Sequence, residues 1–324
     1  MEELRIQKVY EERVMERAVK VMQWLATMAL VLAGVMLLVK PMMAHAQVAA
    51  GGSVSAGLSR LTVVDEGTVG KPDIVLIPGL GSSRAVWEAE AKLLAPNYRL
   101  HLVQVNGFAG APAGANSQGP LLAGIVAELH GYIAAAGMKP VVVGHSLGGL
   151  LAMMLADKYP GDVRKLVIVD TLPYYSVLFN PAATVETVKP MAEAMKTQIV
   201  ATPADQFALM QQTVVPQLVN DKAAQAAVEA ADIAGDRRVF AEAMYEDLLT
   251  DLRGEVGKIQ TPALVLFAVD PNAKQPDPAV YEAMVRDAYK PMPHVTLEKV
   301  EPSRHFIMYD QPAKLDAALE EFLK

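Results

Sequence analysis

The chain of 324 residues contains no cysteine, and only 6% of its residues are aromatic. The absence of cysteine excludes disulfides, thiolate metal sites and a cysteine nucleophile. Basic charge is not in excess either, because 29 Lys and Arg stand against 36 Asp and Glu, for a formal net charge of −7. Proteins that bind nucleic acid usually carry a basic surface, so no DNA or RNA partner is expected. With 52% hydrophobic residues, the composition is that of a folded globular protein.

The N-terminal segment predicts export. Residues 21–39 carry no charge, and the tripeptide Ala-His-Ala at 44–46 has the small-x-small pattern that signal peptidase cleaves. We therefore expect residues 1–46 to be a signal peptide, removed after Ala46 to leave a periplasmic or secreted protein. A translation start at Met15 would remove the unusual acidic residues that precede the hydrophobic run. The alternative is an uncleaved membrane anchor, and in both cases only this segment would contact the membrane.

The remaining chain alternates between short hydrophobic runs and longer amphipathic stretches. Residues 47–58 are small and rich in Gly and Ser, which predicts a flexible lead-in. Hydrophobic strands separated by helices are typical of an α/β fold, a mostly parallel sheet covered by helices on both faces. The predicted strands cover residues 60–65, 73–78, 99–105, 140–143, 165–169, 262–269 and 294–300. The predicted helices cover residues 84–95, 119–137, 147–159, 278–289 and 312–323.

One connection is much longer than the others. Between the strand that ends near Asp170 and the strand that begins at Pro262, about ninety residues show no strand pattern, far more than an ordinary loop. Their Ala-, Met- and Gln-rich stretches indicate helices. We therefore predict that residues 172–254 form a helical cap inserted into a core made of residues 59–171 and 255–324.

A G-x-S-x-G motif provides a candidate nucleophile. Gly144 to Gly148 read GHSLG, directly after the hydrophobic run VVV and directly before a predicted helix. In that strand-to-helix setting the central serine lies on a sharp turn with its hydroxyl exposed. A helix N-cap is the other common role of such a serine, but an N-cap does not require glycine on both sides. Ser146 is therefore predicted to be the nucleophile.

A serine hydroxyl needs a base, and histidine is the side chain that titrates nearest to neutral pH. His305 follows the last predicted strand by a short loop, at the edge of the sheet where Ser146 should emerge. The other five histidines are expected in the signal segment, within a strand, in mid-helix, beside the serine or at the opposite end of the sheet: His45, His101, His130, His145 and His294. His305 is therefore the predicted base.

Two aspartates compete to orient the histidine. Asp270 and Asp170 both end a predicted strand at the same edge of the sheet. The strand before Asp270 should be the neighbour of the strand before His305, so Asp270 is the first choice. Asp170 is the alternative, and it could instead anchor the start of the cap.

An oxyanion formed during ester cleavage requires backbone N–H donors at the same edge. The turn Pro78-Gly79-Leu80-Gly81 follows a predicted strand, and its expected donor is the amide of Leu80. The amide of Leu147, at the start of the helix after the nucleophile, is the expected second donor.

These motifs together resemble the α/β-hydrolase superfamily, in its serine esterase and lipase-like branch. The segments that carry the resemblance are PGLGSS, GFAGAP, VVVGHSLGG, TPALVLFAVDP and SRHFIMYDQP. The resemblance implies a sheet of about eight strands, a serine hydrolase mechanism and no cofactor. Serine rather than aspartate at the motif favours acyl transfer to water.

Ester hydrolysis through a Ser-His-Asp triad and an acyl-enzyme is therefore the expected function, with a small-molecule ester as substrate. A lactonase acting on acyl-homoserine lactones and a non-catalytic binding protein on the same fold are the alternatives. Residues near the cap entrance that could contact substrate are Phe108, Tyr174, Tyr175 and Phe179. Metal-binding motifs such as H-E-x-x-H do not occur in the sequence, and no metal is expected.

Overall fold

The computed structural model describes residues 53–54, 57–273 and 277–324. The predicted signal segment at residues 1–46 lies outside the described residues, as does most of the predicted lead-in at 47–58. Residues 51–324 form one compact unit. Within the described ranges, no helix combines the length and the hydrophobicity needed to span a bilayer.

Eight strands form a single sheet. They are β1 (Ser53–Val54), β2 (Leu61–Gly67), β3 (Asp73–Ile77), β4 (Arg99–Val105), β5 (Val141–His145), β6 (Lys165–Val169), β7 (Ala263–Ala268) and β8 (Val295–Val300). Their order is β1-β2-β4-β3-β5-β6-β7-β8. The pairs β1/β2 and β2/β4 are antiparallel, and all other neighbours are parallel. The predicted α/β fold with a mostly parallel sheet is confirmed.

The seven predicted strands appear within about two residues of their expected positions. The eighth strand, β1, lies within the segment predicted to be a flexible lead-in, and it pairs Ser53 with Asp65 of β2. Two residues are too few for a hydrophobic alternation to be visible in the sequence.

The described residues contain ten α-helices beside the sheet. They are α1 (Glu88–Leu94), α2 (Leu122–Ala136), α3 (Leu147–Lys158), α4 (Val185–Ala201), α5 (Ala204–Leu218), α6 (Lys222–Ala234), α7 (Arg237–Leu249), α8 (Pro278–Tyr289), α9 (Ile307–Asp310) and α10 (Pro312–Leu323). Side chains of β5 alternate between two hydrophobic cores, with Val142 facing α2, α3 and α8. Val141 and Val143 face α1 and α10 on the other side. Burial on both faces explains why the central strands read as continuous hydrophobic runs.

The long connection between β6 and β7 contains a short 3₁₀ helix, Tyr175–Leu178, and helices α4 to α7. No strand occurs between residues 170 and 262, all of which are described. Capping residues determine where these helices begin: the side chains of Thr184, Asp221 and Asp236 each accept a backbone N–H of the first turn. Helix α4 packs along α7, and α5 packs along α6. The cap residues are therefore held by helix packing of their own as well as by the sheet.

The candidate residues meet at one edge of the sheet because parallel strands end on the same side. Ser146 follows β5 directly, Asp170 follows β6 directly, and His305 follows β8 by a loop. The turn after β3, residues 78–83, ends at the same edge, and the cap begins there.

Candidate active site

Ser146 occupies the sharp turn between β5 and α3. Its φ of 53° and ψ of −124° place it in a region that a residue with a side chain rarely adopts. It precedes the first residue of α3, but its side chain forms no capping hydrogen bond. Its backbone is fixed instead, since its N–H donates to the carbonyl of Val169 at 2.9 Å and its carbonyl accepts the hydroxyl of Thr171 at 2.7 Å. The helix-cap role is therefore not what holds this serine in place.

Glycines on both sides of Ser146 allow chain segments to approach more closely than a side chain would permit. A Cβ atom on Gly144 would lie 2.1 Å from the carbonyl oxygen of Gly148, and a Cβ atom on Gly148 would lie 2.3 Å from that of Ile77. Distances under 3.0 Å essentially never occur for real Cβ atoms. The spacing of the motif thus follows from the packing of α3 against β3 and β5.

His305 is hydrogen-bonded to Asp170. Its Nδ1 lies 2.7 Å from Oδ2 of Asp170, whose side chain is only 7% exposed. The other oxygen of Asp170 accepts the backbone N–H of Ala268 at 2.8 Å and the hydroxyl of Tyr281 at 3.2 Å. A carboxylate at Nδ1 favours the tautomer with the proton on that nitrogen, so the lone pair of neutral His305 is on Nε2.

The sequence predicted that Asp270 orients His305, but the carboxylate hydrogen-bonded to His305 is that of Asp170. Asp270 accepts the backbone N–H of Asn272 at 2.9 Å and the Nε–H of Arg304 at 3.1 Å. Burial alone would raise the pKa of Asp270, but these hydrogen bonds and the charge of Arg304 hold the pKa below its usual value. Asp170 has a positive φ of 49°, and its carboxylate reaches across the end of β7 to the histidine. Asp270 therefore anchors the residue before His305 and does not contact the imidazole.

The amides of Leu80 and Leu147 are the predicted oxyanion donors. Gly79 lies against the nucleophile, because a Cβ atom on it would be 3.1 Å from Cβ of Ser146. Leu80 follows in that turn, and Leu147 is the first residue of α3. Among the described residues, neither the Leu80 nor the Leu147 N–H donates to a protein acceptor. Both remain available for a negatively charged oxygen at the N-terminus of α3.

His145 supports the loop that carries His305. Its Nε2–H donates to the carbonyl oxygen of His305 at 3.0 Å, and the two rings lie 4.6 Å apart. Burial, together with the neighbouring His305, lowers the pKa of His145 well below its usual value, so this ring stays neutral. On the other side of the loop, Asp310 accepts the backbone N–H of Arg304 at 2.8 Å.

A small cavity of about 60 Å³ opens beside Ser146. Core residues form one wall, and the cap forms the other. The lining residues are Ser146, Asp170, Thr171, Leu172, Tyr175, Leu178, Asp247, Tyr281 and His305. No group of His, Asp or Glu side chains that could hold a metal ion is found in the described ranges.

Of the predicted substrate contacts, Tyr175 lines this cavity. Phe108 and Tyr174 do not, since both are buried in the core, and the guanidinium of Arg253 lies 4.6 Å from the ring centre of Tyr174. Phe179 packs edge-on against Tyr175, with ring centres 5.5 Å apart, and so supports the wall from behind. The prediction that Phe108 and Tyr174 contact substrate is therefore wrong, and both are core residues.

Sequence reasoning missed Asp247, which lies on α7 and faces the cavity from the cap. Burial raises the pKa of Asp247 to about 7, and interaction with the His305 charge acts in the opposite direction. Among the described residues, no donor is hydrogen-bonded to its carboxylate. Tyr281, which donates to Asp170, was also missed, because a tyrosine on an amphipathic helix carries no local sign of a contact with the end of another strand.

Curated relatives match about a third of the chain. Over 106 residues the chain is 38% identical to a pimeloyl-[acyl-carrier protein] methyl ester esterase from Aeromonas salmonicida (strain A449), which covers 32% of this chain and 39% of that protein. Over 100 residues it is 38% identical to a putative carbamate hydrolase RutD from Escherichia coli O17:K52:H18 (strain UMN026 / ExPEC), which covers 31% of this chain and 36% of that protein. The matched part therefore spans less than two fifths of each relative's length.

Solved structures resemble the chain over most of its length. A hydrolase from Pseudomonas aeruginosa PA01 has a TM-score of 0.69 at 18% identity and covers 85% of this chain and 99% of that one. The enol-lactonase from Burkholderia xenovorans LB400 has a TM-score of 0.68 at 17% identity, and the match covers 84% of this chain and 99% of that one. A thermophilic esterase from Thermogutta terrifontis has a TM-score of 0.65 at 20% identity, and the match covers 84% of this chain and 96% of that one. At these identities the likeness concerns the fold.

The sequence profile of the alpha/beta hydrolase family matches residues 74–318, which include Ser146, Asp170 and His305. This match extends over most of the chain and agrees with the strand order and with the turn at Ser146. The chain therefore belongs to the alpha/beta hydrolase family.

Proposed function

We propose that the protein is a serine-dependent carboxylic ester hydrolase that uses Ser146, His305 and Asp170 as a triad. The observation that carries the proposal is the 2.7 Å hydrogen bond from His305 to Asp170, in the wall of a cavity that also contains Ser146. A serine on a strained turn, a histidine at the same sheet edge and a buried carboxylate on that histidine are the three parts of the triad template.

In the first step, Oγ of Ser146 attacks the acyl carbon while Nε2 of His305 accepts the hydroxyl proton. Asp170 keeps the other proton on Nδ1 and stabilises the imidazolium that forms. The amides of Leu80 and Leu147 donate to the oxyanion. When the tetrahedral intermediate collapses, the imidazolium protonates the departing alkoxide, and the acyl group remains on Ser146.

In the second step, water replaces the alcohol. His305 accepts a proton from the water as it attacks the acyl-enzyme, the same two amides bind the second oxyanion, and the proton returns to Oγ of Ser146 as the carboxylic acid leaves. The balance is one ester and one water consumed for one acid and one alcohol. Each part is supplied by the chain itself, so the step requires no cofactor.

Lactonase action on acyl-homoserine lactones is the second candidate, because a lactone is a cyclic ester that the same groups would open. Esters rank first because the relatives and neighbours named as esterases are hydrolases of that bond. Parallel assays with p-nitrophenyl esters of increasing acyl length and with lactones separate the two.

Labelling of the serine tests the proposal. A fluorophosphonate should modify the full chain once, at Ser146, as mapped by mass spectrometry of peptides. Ser146→Ala should abolish this labelling and lower ester hydrolysis by about a thousandfold or more. Ser117→Ala, a change of an exposed serine, is the matched control and should leave both unchanged. A wild-type chain that resists the reagent, or Ser146→Ala protein that is still labelled, would show a binding protein or a different nucleophile.

A further inference from the structure

Asp247 is a cavity carboxylate to which the proposed mechanism gives no role. It lies on α7 of the cap, across the cavity from Ser146 and His305. Its pKa is raised to about 7 by burial, so removal from water already costs free energy when the group is charged. The residue as a whole is only partly buried, so an atom of a substrate that enters the cavity can reach its carboxylate.

Two cations carried by the cap and by the segment that follows it have carboxylate partners other than Asp247. Lys196 of α4, the helix packed along α7, pairs with Glu242. Arg253 pairs with Asp251 at 2.5 Å. Among the described residues no ion pair to Asp247 is found, and the one charge that acts on its pKa is that of His305.

Of the described residues that line the cavity, His305 alone has a side chain that can become cationic. It is neutral when it is ready to accept the serine proton. The charge of Asp170 is offset by three hydrogen bonds, whereas that of Asp247 is not. When Asp247 is ionised, an incoming ligand thus meets a negative charge that no protein hydrogen bond offsets among the described residues.

We propose that Asp247 determines substrate charge: the protein prefers esters that carry a cationic ammonium group close to the ester bond and disfavours anionic ones. The inference rests on the proposed function and adds the substrate class to it. A bound cation would take the place of a protein partner and favour the ionised form of the carboxylate.

Two pairs of isosteric esters measure this preference. The first pair is 2-(trimethylammonio)ethyl acetate and 3,3-dimethylbutyl acetate, which differ in charge on the alcohol part. The second pair is ethyl trimethylammonioacetate and ethyl 3,3-dimethylbutanoate, which differ in charge on the acyl part. The quaternary nitrogen keeps its charge at every pH, so its own titration does not enter.

The wild-type ratio of kcat/KM, cationic ester over neutral ester, is compared with the same ratio in Asp247→Asn. This comparison cancels the intrinsic reactivity of each ester. We expect the ratio to fall by about tenfold or more in Asp247→Asn for at least one pair, whatever the change in the rate common to both esters of that pair. Asp205→Asn, which removes one exposed carboxylate from the cap, is the matched control and should keep the wild-type ratio.

The pH dependence adds an independent readout. His305 and Tyr175 interact electrostatically with Asp247, and the other titratable residues that line the same cavity are Asp170 and Tyr281. The requirement for neutral His305 is common to both esters of a pair and cancels in the ratio. The ratio should therefore rise between about pH 6 and 8 in the wild-type protein and stay flat in Asp247→Asn.

Fluorophosphonate labelling keeps this inference separate from the proposed function. If Ser146 is labelled but both pairs give the same ratio in the wild-type protein and in Asp247→Asn, or if the labelled protein cleaves none of the four esters, the charge preference is wrong and the nucleophile stands. If Ser146 is not labelled, the proposed function fails and the inference fails with it.

Discussion

The carboxylate of Asp170 accepts three hydrogen bonds from three different elements: the loop of His305, the end of β7 and helix α8. Each donor removes one direction in which the side chain could turn. The imidazole of His305 is fixed in turn by its own backbone, which accepts from His145. At the scale of single residues, the site is therefore organised before any substrate arrives.

This arrangement predicts unequal effects of two Asp→Asn changes. Asp170→Asn keeps the side-chain shape but favours the wrong tautomer of His305, and in the triad template this costs about ten-thousandfold in kcat. Asp270→Asn weakens only the contact with Arg304 and should cost less than about tenfold. Steady-state kinetics near neutral pH on both purified variants provide the measurement. Equal losses, or a crippled Asp270→Asn, would place the working carboxylate after β7.

Ser146 and His305 could be predicted because each has a local sign: glycines around one, and a position just after the last strand for the other. The choice of aspartate could not. The choice depends on the positive φ of Asp170, which turns its carboxylate across β7. No pattern in the neighbouring residues predicts that conformation. The adjacency of the strands alone favoured Asp270 as the partner of His305. In the structure, Asp270 accepts a hydrogen bond from Arg304 instead.

At the scale of elements, the strand-turn-helix unit β5-Ser146-α3 combines buried packing with a strained turn. Strand positions were predictable because β5, β6 and β7 are buried on both faces and so consist mostly of hydrophobic residues. The helical character of the cap was predictable, but which helices pack against one another was not. Whether Asp247 faces water or the cavity depends on how α7 packs, which is a tertiary property.

Gly148→Ala tests the packing of that unit. The added Cβ would lie 2.3 Å from the carbonyl oxygen of Ile77, which is backbone and cannot move aside cheaply. We expect the free energy of unfolding to fall by about 2 kcal/mol or more, and activity to fall with it because α3 carries the Leu147 amide. Chemical denaturation measures the first and ester hydrolysis the second. Gly161→Ala, where a Cβ meets nothing within 4 Å, is the control and should change neither.

At the scale of the whole molecule, buried ionisable groups make stability depend on pH. Burial raises the pKa of Glu90 to about 8 and that of Asp232 to about 7, from 4.5 and 3.8. The unfolded chain releases these protons at lower pH than the folded protein does, so rising pH favours unfolding. His145 acts in the opposite direction, because its lowered pKa makes the unfolded chain take up a proton below about 6.5. Above that pH only the carboxyl groups act, and stability should decline.

Glu90 should account for a large part of this decline. It lies on α1 with 0% exposure, both of its carboxyl oxygens lack a hydrogen-bond partner within the described residues, and nearby Asp316 adds to the rise in its pKa. Glu90→Gln removes the titration, so its melting temperature should fall less than that of the wild-type protein between pH 6.5 and 8.5, by roughly 2–4 °C for each kcal/mol recovered. Glu88→Gln, two residues away on the same helix, is the control: its side chain is exposed and pairs with Lys92 at the surface. Thermal unfolding of the three proteins across that pH range measures the effect, and identical slopes for Glu90→Gln and the wild type would mean that Glu90 is already ionised in the folded protein.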